Sequence, residues 1–156
     1  MRRGEFLEAD GATVEVIHPA LESTAPGVNN QSVVLHVSWP GLSALLSGDI
    51  EVQAERELLS TLTPVDVLKA PHHGSHTSSS AAFLDAVSPR IAVVSTRASS
   101  RREAMGRDVI PRYRERGIAL YRTDYLGGIQ VRLRGDKLVV KSARAQRGYS
   151  LDPAEQ

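Results

Sequence analysis

The chain has 156 residues, 41% of them apolar and 24% charged, with 19 basic against 18 acidic side chains. That length and composition suit one globular domain with a real core, exclude a disordered tail, and give no global field that would favour nucleic acid or membrane. There is no cysteine, which removes disulfides, zinc ribbons and thiol nucleophiles, and no apolar run long enough to span a bilayer.

In chain order the pattern alternates strands and helices. Thr13–Ile17 alternates apolar residues and ends at His18-Pro19, where the proline takes the chain out of regular structure. Pro, Gly and paired Asn make Glu22 to Gln31 a loop. Ser32–Ser38 and Ser43–Leu46 read as strands joined by the turn Trp39-Pro40-Gly41. Gly48-Asp49 breaks the second of them, and Val52, Leu58 and Leu59 among charges predict a helix from Glu51 to Leu59.

Val65–Leu68 is the next strand, followed directly by Lys69-Ala70-Pro71-His72-His73-Gly74-Ser75-His76. Ser78, Ser79 and Ser80 offer N-cap hydroxyls to a helix whose inner face is Phe83, Leu84 and Val87, closed by Pro89. Ile91–Ser95 reads as a buried strand. Asp108 is placed to cap a third helix carrying Ile110, Tyr113 and Arg114, with Gly117 at its C′ position. Ile118–Arg122, Gly128–Leu133 and Lys137–Lys141 finish as strands, the last two joined by Gly135-Asp136, and the residues after Arg144 read as a flexible tail. The fold class is therefore α/β (α+β), a layered domain whose polar groups sit just past strand ends.

Two of those strand ends carry chemistry. Three of the five histidines fall within His72–His76, and imidazole is both the commonest side-chain metal ligand and the acid–base group of neutral pH. A polar loop of solvated histidines is the plainer alternative. At the other end Gly48 permits a sharp turn that presents Asp49, a hard anionic ligand or simply a helix-capping aspartate. The arginine-rich stretches Arg97–Arg116 and Arg132–Arg147 are solvated faces unless they contact phosphate. His36, between Leu35 and Val37, reads as an ordinary sheet residue.

Taken together, Leu45-Leu46-Ser47-Gly48-Asp49-Ile50-Glu51 and Val65-Asp66-Val67-Leu68-Lys69-Ala70-Pro71-His72-His73-Gly74-Ser75 resemble the metallo-β-lactamase superfamily, and specifically the C-terminal hydrolase domain of ComEC-type DNA-internalisation competence proteins. The resemblance runs from about residue 13 to 133, through Asn29-Asn30-Gln31-Ser32, Ser88-Pro89, Ala92–Ser95 and Tyr121-Arg122-Thr123-Asp124. It implies an αββα sandwich and a binuclear metal hydrolase holding Zn or Mn. Asp49 would bridge the cations and His73 would bind the second, with His72 the alternative ligand and His18 a further candidate. Ser75 and His76 would contact the leaving group or a phosphate.

The substrate implied is one strand of incoming DNA, and the location is the outer face of the cytoplasmic membrane, reached through upstream segments. The superfamily's H-x-H-x-D-H cluster is absent from these residues. The chain is thus expected to form a partial domain, residues 1–144, corresponding to the second half of the fold. Such a half would need a complementing first half, or would pair with itself as an interaction module. Relatives carry Gly-His-Pro where this chain has Gly106-Arg107-Asp108, so Arg107 replaces a substrate-contacting histidine. Hydrolysis of another ester, such as a phosphorylcholine or a lactone, is a third expectation on the same scaffold.

Overall fold

The computed structural model describes residues 3–97 and 106–144. It contains nine strands and four α-helices among those residues: β1 (Phe6–Ala9), β2 (Ala12–His18), β3 (Val34–Trp39), β4 (Leu42–Leu46), α1 (Val52–Leu58), β5 (Val67–Lys69), α2 (Ala81–Val87), β6 (Ile91–Val94), α3 (Val109–Arg114), β7 (Ala119–Arg122), α4 (Thr123–Leu126), β8 (Ile129–Arg134) and β9 (Lys137–Ser142). Strands β1 to β7 form one mixed sheet in sequential order, antiparallel from β1 to β4 and parallel from β4 to β7. β8 and β9 form a separate hairpin.

The period of two along each strand assigns the faces. Leu45, Leu68, Ala92 and Leu120 lie side by side across β4–β7, and all four are buried. They form one cluster with Ala54 and Leu58 of α1, Phe83, Leu84 and Val87 of α2, and Val109 and Tyr113 of α3. The helices therefore cover one face. On the other, Ile91 and Tyr121 pack with Leu126 against Ile129, Val131, Leu138 and Val140, so the hairpin covers the β6–β7 end of that face. Towards β1 the same face presents Leu7, Trp39 and Leu46, which stay 60%, 42% and 41% exposed.

The mixed α/β architecture matches the expectation, with three local differences. Glu51 makes no side-chain cap on α1; Asn30 does so from a neighbouring turn, its Oδ1 accepting from Glu51 N at 2.8 Å and Ala54 N at 3.4 Å. Asp108 likewise makes no cap bond on α3 and instead pairs with Arg112 one turn on. Ser80, by contrast, caps α2 as expected, accepting from Phe83 N at 3.3 Å. The tail expected beyond residue 144 lies outside the described residues.

Candidate metal centre

The site grows from the carboxyl ends of adjacent strands, where open α/β sheets place their binding groups. After β4, Gly48 turns with φ +58°; a Cβ there would lie 2.7 Å from Ser32 Cβ and 3.1 Å from Val33 O, so no other residue fits this turn without displacing the backbone. The turn is held by four hydrogen bonds. Asp49 N donates to Ser32 Oγ (3.1 Å), His72 N to Gly48 O (3.2 Å), Ser47 Oγ to Lys69 O (2.5 Å), and Lys69 Nζ to Gly48 O (2.6 Å). The Lys69 ammonium also lies 3.4 Å from Asp49 Oδ1. One carboxylate oxygen of Asp49 thus faces a fixed cation, and the other faces away from it.

After β5 the chain enters a turn over Pro71–Gly74 in which His72 (φ 47°, ψ 43°) and His73 (φ 54°, ψ 24°) are both left-handed. Non-glycine residues in that region cost on the order of 1–3 kcal/mol each and persist only where surrounding contacts impose them. Here the contacts are on opposite sides. The His72 ring turns inward, with Nδ1 3.2 Å from Glu51 Oε1 and 3.4 Å from Thr77 Oγ1, and Nε2 3.4 Å from Asn29 Nδ2. The His73 ring turns outward. Its Nδ1 donates to Ser95 O, just past β6, at 2.6 Å, and its Nε2 lies 3.7 Å from Asp49 Oδ2.

The Ser95 bond fixes the tautomer: with the proton on Nδ1, the lone pair sits on Nε2, facing the carboxylate. Two donors bound to one Zn²⁺ at about 2.1 Å each can stand up to about 4.2 Å apart, so Asp49 Oδ2 and His73 Nε2 are spaced to share a cation. No third His, Asp or Glu joins them in a metal-holding group among the described residues. The described residues thus supply one wall of a centre and do not fit a complete two-cation site on their own.

The other candidates lie around this pair. His18 is 1% exposed and its Nε2 meets Asn30 O at 2.8 Å, so it braces the Asn30 turn from within the core. Ser75 Oγ meets Thr77 Oγ1 at 3.1 Å, while His76 is exposed. Gly106 N donates to Gly74 O at 3.0 Å, and a Cβ on Gly106 would lie 3.1 Å from His76 N. Arg107 is therefore carried beside the histidine loop. Arg112, another arginine of that stretch, is committed to Asp108 and to the carbonyls of Ser78 (3.0 Å) and Ser79 (3.2 Å). Arg101 and Arg102 lie outside the described residues.

Beneath the loop, buried Glu55 accepts from Ser79 N (2.5 Å) and Ser80 N (2.9 Å), and burial pushes its carboxyl above the ordinary range despite those bonds. Tyr113, whose hydroxyl meets Ser79 Oγ at 2.9 Å, is likewise pushed up by burial.

Residues 6–98 match the family model described as the metallo-beta-lactamase superfamily. The chain belongs to the metallo-β-lactamase superfamily. Among curated members, it is 31% identical to ComE operon protein 3 of Bacillus subtilis (strain 168) over 85% of its own length. It is also 34% identical to competence protein ComA of Neisseria gonorrhoeae over 90%. Recombination protein 2 of Haemophilus influenzae (strain ATCC 51907 / DSM 11121 / KW20 / Rd) is 32% identical over 76%. The chain spans 17%, 20% and 15% of those three proteins. The superfamily's resemblance to ComEC-type proteins is thus shown along most of the chain. No helix among the described residues is long and apolar enough to cross a membrane.

Residues that the sequence reading left unassigned complete the site. Lys69 stood inside the quoted motif without a role, and its pairing with Asp49 follows from the β4–β5 register, which sets Leu46 beside Lys69. Ser95 acts through its carbonyl and Asn29, Glu51 and Thr77 through contacts across 22 to 43 residues of sequence or within the turn. No local pattern announces any of them.

Proposed function

We propose that this chain is part of a metal-dependent phosphodiesterase that acts on one strand of DNA during its uptake, with Asp49 and His73 supplying one wall of its cation site. The observation that carries the reading is the His73 ring, held by Ser95 O with Nε2 turned to Asp49. The names of the relatives, competence proteins in two cases and a recombination protein in a third, supply the DNA context. Zn²⁺ or Mn²⁺ bound there would polarise a phosphodiester and activate water. The chain's own residues hold and orient the donors: Ser95 fixes the His73 tautomer, and Lys69 keeps the Asp49 turn closed. His72 serves the Glu51–Thr77 cluster beneath, and Ser75, His76 and Arg107 line the approach to substrate.

The test is cation content per chain by elemental analysis together with cleavage of an end-labelled single-stranded oligonucleotide, for the natural chain and Asp49→Asn. A bound cation and cleavage that both disappear in Asp49→Asn support the reading. Less than one cation per chain with no cleavage rules out catalysis by this polypeptide alone.

A second reading rests on the partly exposed face of Leu7, Trp39 and Leu46. There the chain acts as an assembly module, completed by a separate first half of the fold or by a second copy, since unpaired apolar faces of this kind are interaction surfaces. Light scattering separates the two: a folded monomer at working concentration counts against self-pairing.

A further inference from the structure

The carboxyl ends of β5, β6 and β7 lie side by side, and only the first carries a group used above. β6 runs out through Ser95 and Thr96 to Arg97, which is exposed. β7 ends at Arg122 and turns directly into α4, bearing Tyr125. From the geometry of these ends we infer that Tyr125 is a stacking platform for a base of single-stranded nucleic acid whose backbone runs along the sheet edge, past Arg97, to the Asp49–His73 pair. This rests on the phosphodiesterase reading and adds to it a place for the bases.

Three observations support the platform. Its ring is fixed from below: the Arg122 guanidinium lies 4.5 Å from the ring centroid, and Asp124 holds that guanidinium through Nε at 3.2 Å and Nη2 at 2.7 Å. Arg122 and Asp124 are themselves 13% and 7% exposed, so the support is part of the folded body. The ring is nevertheless 44% exposed, which leaves aromatic surface for a partner. A cation under one side of a ring and open surface on the other suits a second planar group.

The platform is also tied to the site. Thr123 Oγ1 donates to Thr96 O at 2.6 Å and accepts from Thr96 N at 2.8 Å, and the residue before Thr96 is Ser95, whose carbonyl orients His73. The linkage from His73 to Tyr125 thus passes through two hydrogen-bonded joints and no long loop. With strands about 4.8 Å apart, the β5 and β7 ends are separated by about 10 Å, and Arg97 issues from the strand between them. The order along the edge is cleaving pair, guanidinium for phosphate, and aromatic surface for base. An exposed guanidinium beside an aromatic platform is the pattern by which single strands are bound without sequence preference.

The test is binding of a fluorescein-labelled oligothymidylate to the whole chain in EDTA, followed by anisotropy. Because nothing is hydrolysed there, failure of the cleavage reading leaves the result standing, and failure here leaves Asp49 and His73 untouched. Tyr125→Ala should weaken binding about tenfold with an unchanged salt slope, a factor equal to ~1.4 kcal/mol and within the range for stacking on one aromatic. Tyr125→Leu, which keeps apolar bulk without a ring, should lose as much, and Tyr125→Trp should retain affinity. Arg97→Ala should flatten the salt slope by about one. A blunt duplex of the same length should show no dependence on Tyr125. Natural affinity in Tyr125→Leu, equal losses on single strand and duplex, or no binding by the natural chain would each overturn the assignment.

Discussion

The carbonyl of Ser95 takes the Nδ1 proton of His73 at 2.6 Å. This bond joins the end of β6 to the loop after β5 and decides what the histidine can do, because it leaves Nε2 as the acceptor atom on the side of Asp49. The neighbouring His72 has the same side chain and the same left-handed backbone, yet its ring faces Glu51 and Thr77. Two consecutive left-handed residues send successive side chains to opposite sides of the loop, so adjacent histidines acquire different environments.

The two should therefore separate experimentally. His73→Ala is expected to abolish the broadening that Mn²⁺ induces in neighbouring NMR signals, a loss on the order of 100-fold in affinity, comparable to or above that for removing an outer-shell partner of a metal ligand. His72→Ala should keep cation binding within tenfold and instead lower stability by about 1–2 kcal/mol, since Glu51 loses a partner. The opposite order would make His72 the ligand.

Gly48→Ala tests the turn that presents Asp49. The added Cβ must enter at 2.7 Å from Ser32 Cβ, against backbone at 3.1 Å, and from a positive φ. A cost of about 2–3 kcal/mol in urea unfolding is expected. A loss below about 0.5 kcal/mol would show that the turn relaxes freely and that Asp49 is not rigidly placed.

Legibility from sequence followed the range of the interactions. The strands β2 to β7 and helices α1 to α3 were readable because each is set by local periodicity or by a turn residue, and Ser80 at the start of α2 is a local cap. β1 and α4 were not, for both have only four residues and are held by neighbours in space: β1 by its register with β2, and α4 by Leu126 in the hairpin cluster. Asp49 and His73 stood out because Gly-Asp and His-His-Gly-Ser are unusual local strings. What orients them did not, because a carbonyl, a lysine on the next strand and an asparagine 21 residues away from Glu51 have no local signature.

Glu55 couples the loop beneath the site to pH. Burial raises its carboxyl above the ordinary 4.5, so between that value and the folded value the native chain binds more protons than the unfolded one. Stability from this group is then full below about pH 4.5 and falls as pH rises through that window. Glu55→Gln removes the slope, and urea midpoints compared across pH 4–7 should show a flatter profile than for the natural chain. Glu55→Ala should instead cost about 3 kcal/mol at all these pH values, because the amides of Ser79 and Ser80 lose their acceptor in the interior. An unchanged profile in Glu55→Gln would mean that the carboxylate is ionised and fully compensated by those amides.

Asn30 is the joint between the core and the Asp49 turn. It is fully buried; its side chain accepts from Glu51 N and Ala54 N and donates to Pro26 O at 2.6 Å, while its carbonyl meets His18 Nε2. Asn30→Ala deletes the only cap that α1 receives from these contacts and leaves buried polar groups without partners, for an expected cost of about 2–4 kcal/mol. Asn30→Asp keeps both acceptor bonds but turns the Nδ2 donor into an oxygen facing Pro26 O, so it should be destabilised nearly as much near neutral pH and recover as the carboxyl is protonated in acid. Chemical denaturation of the two variants at pH 7 and pH 4 checks this. Equal losses at both pH values in Asn30→Asp would place the contribution of Asn30 in packing, and not in the donor bond to Pro26.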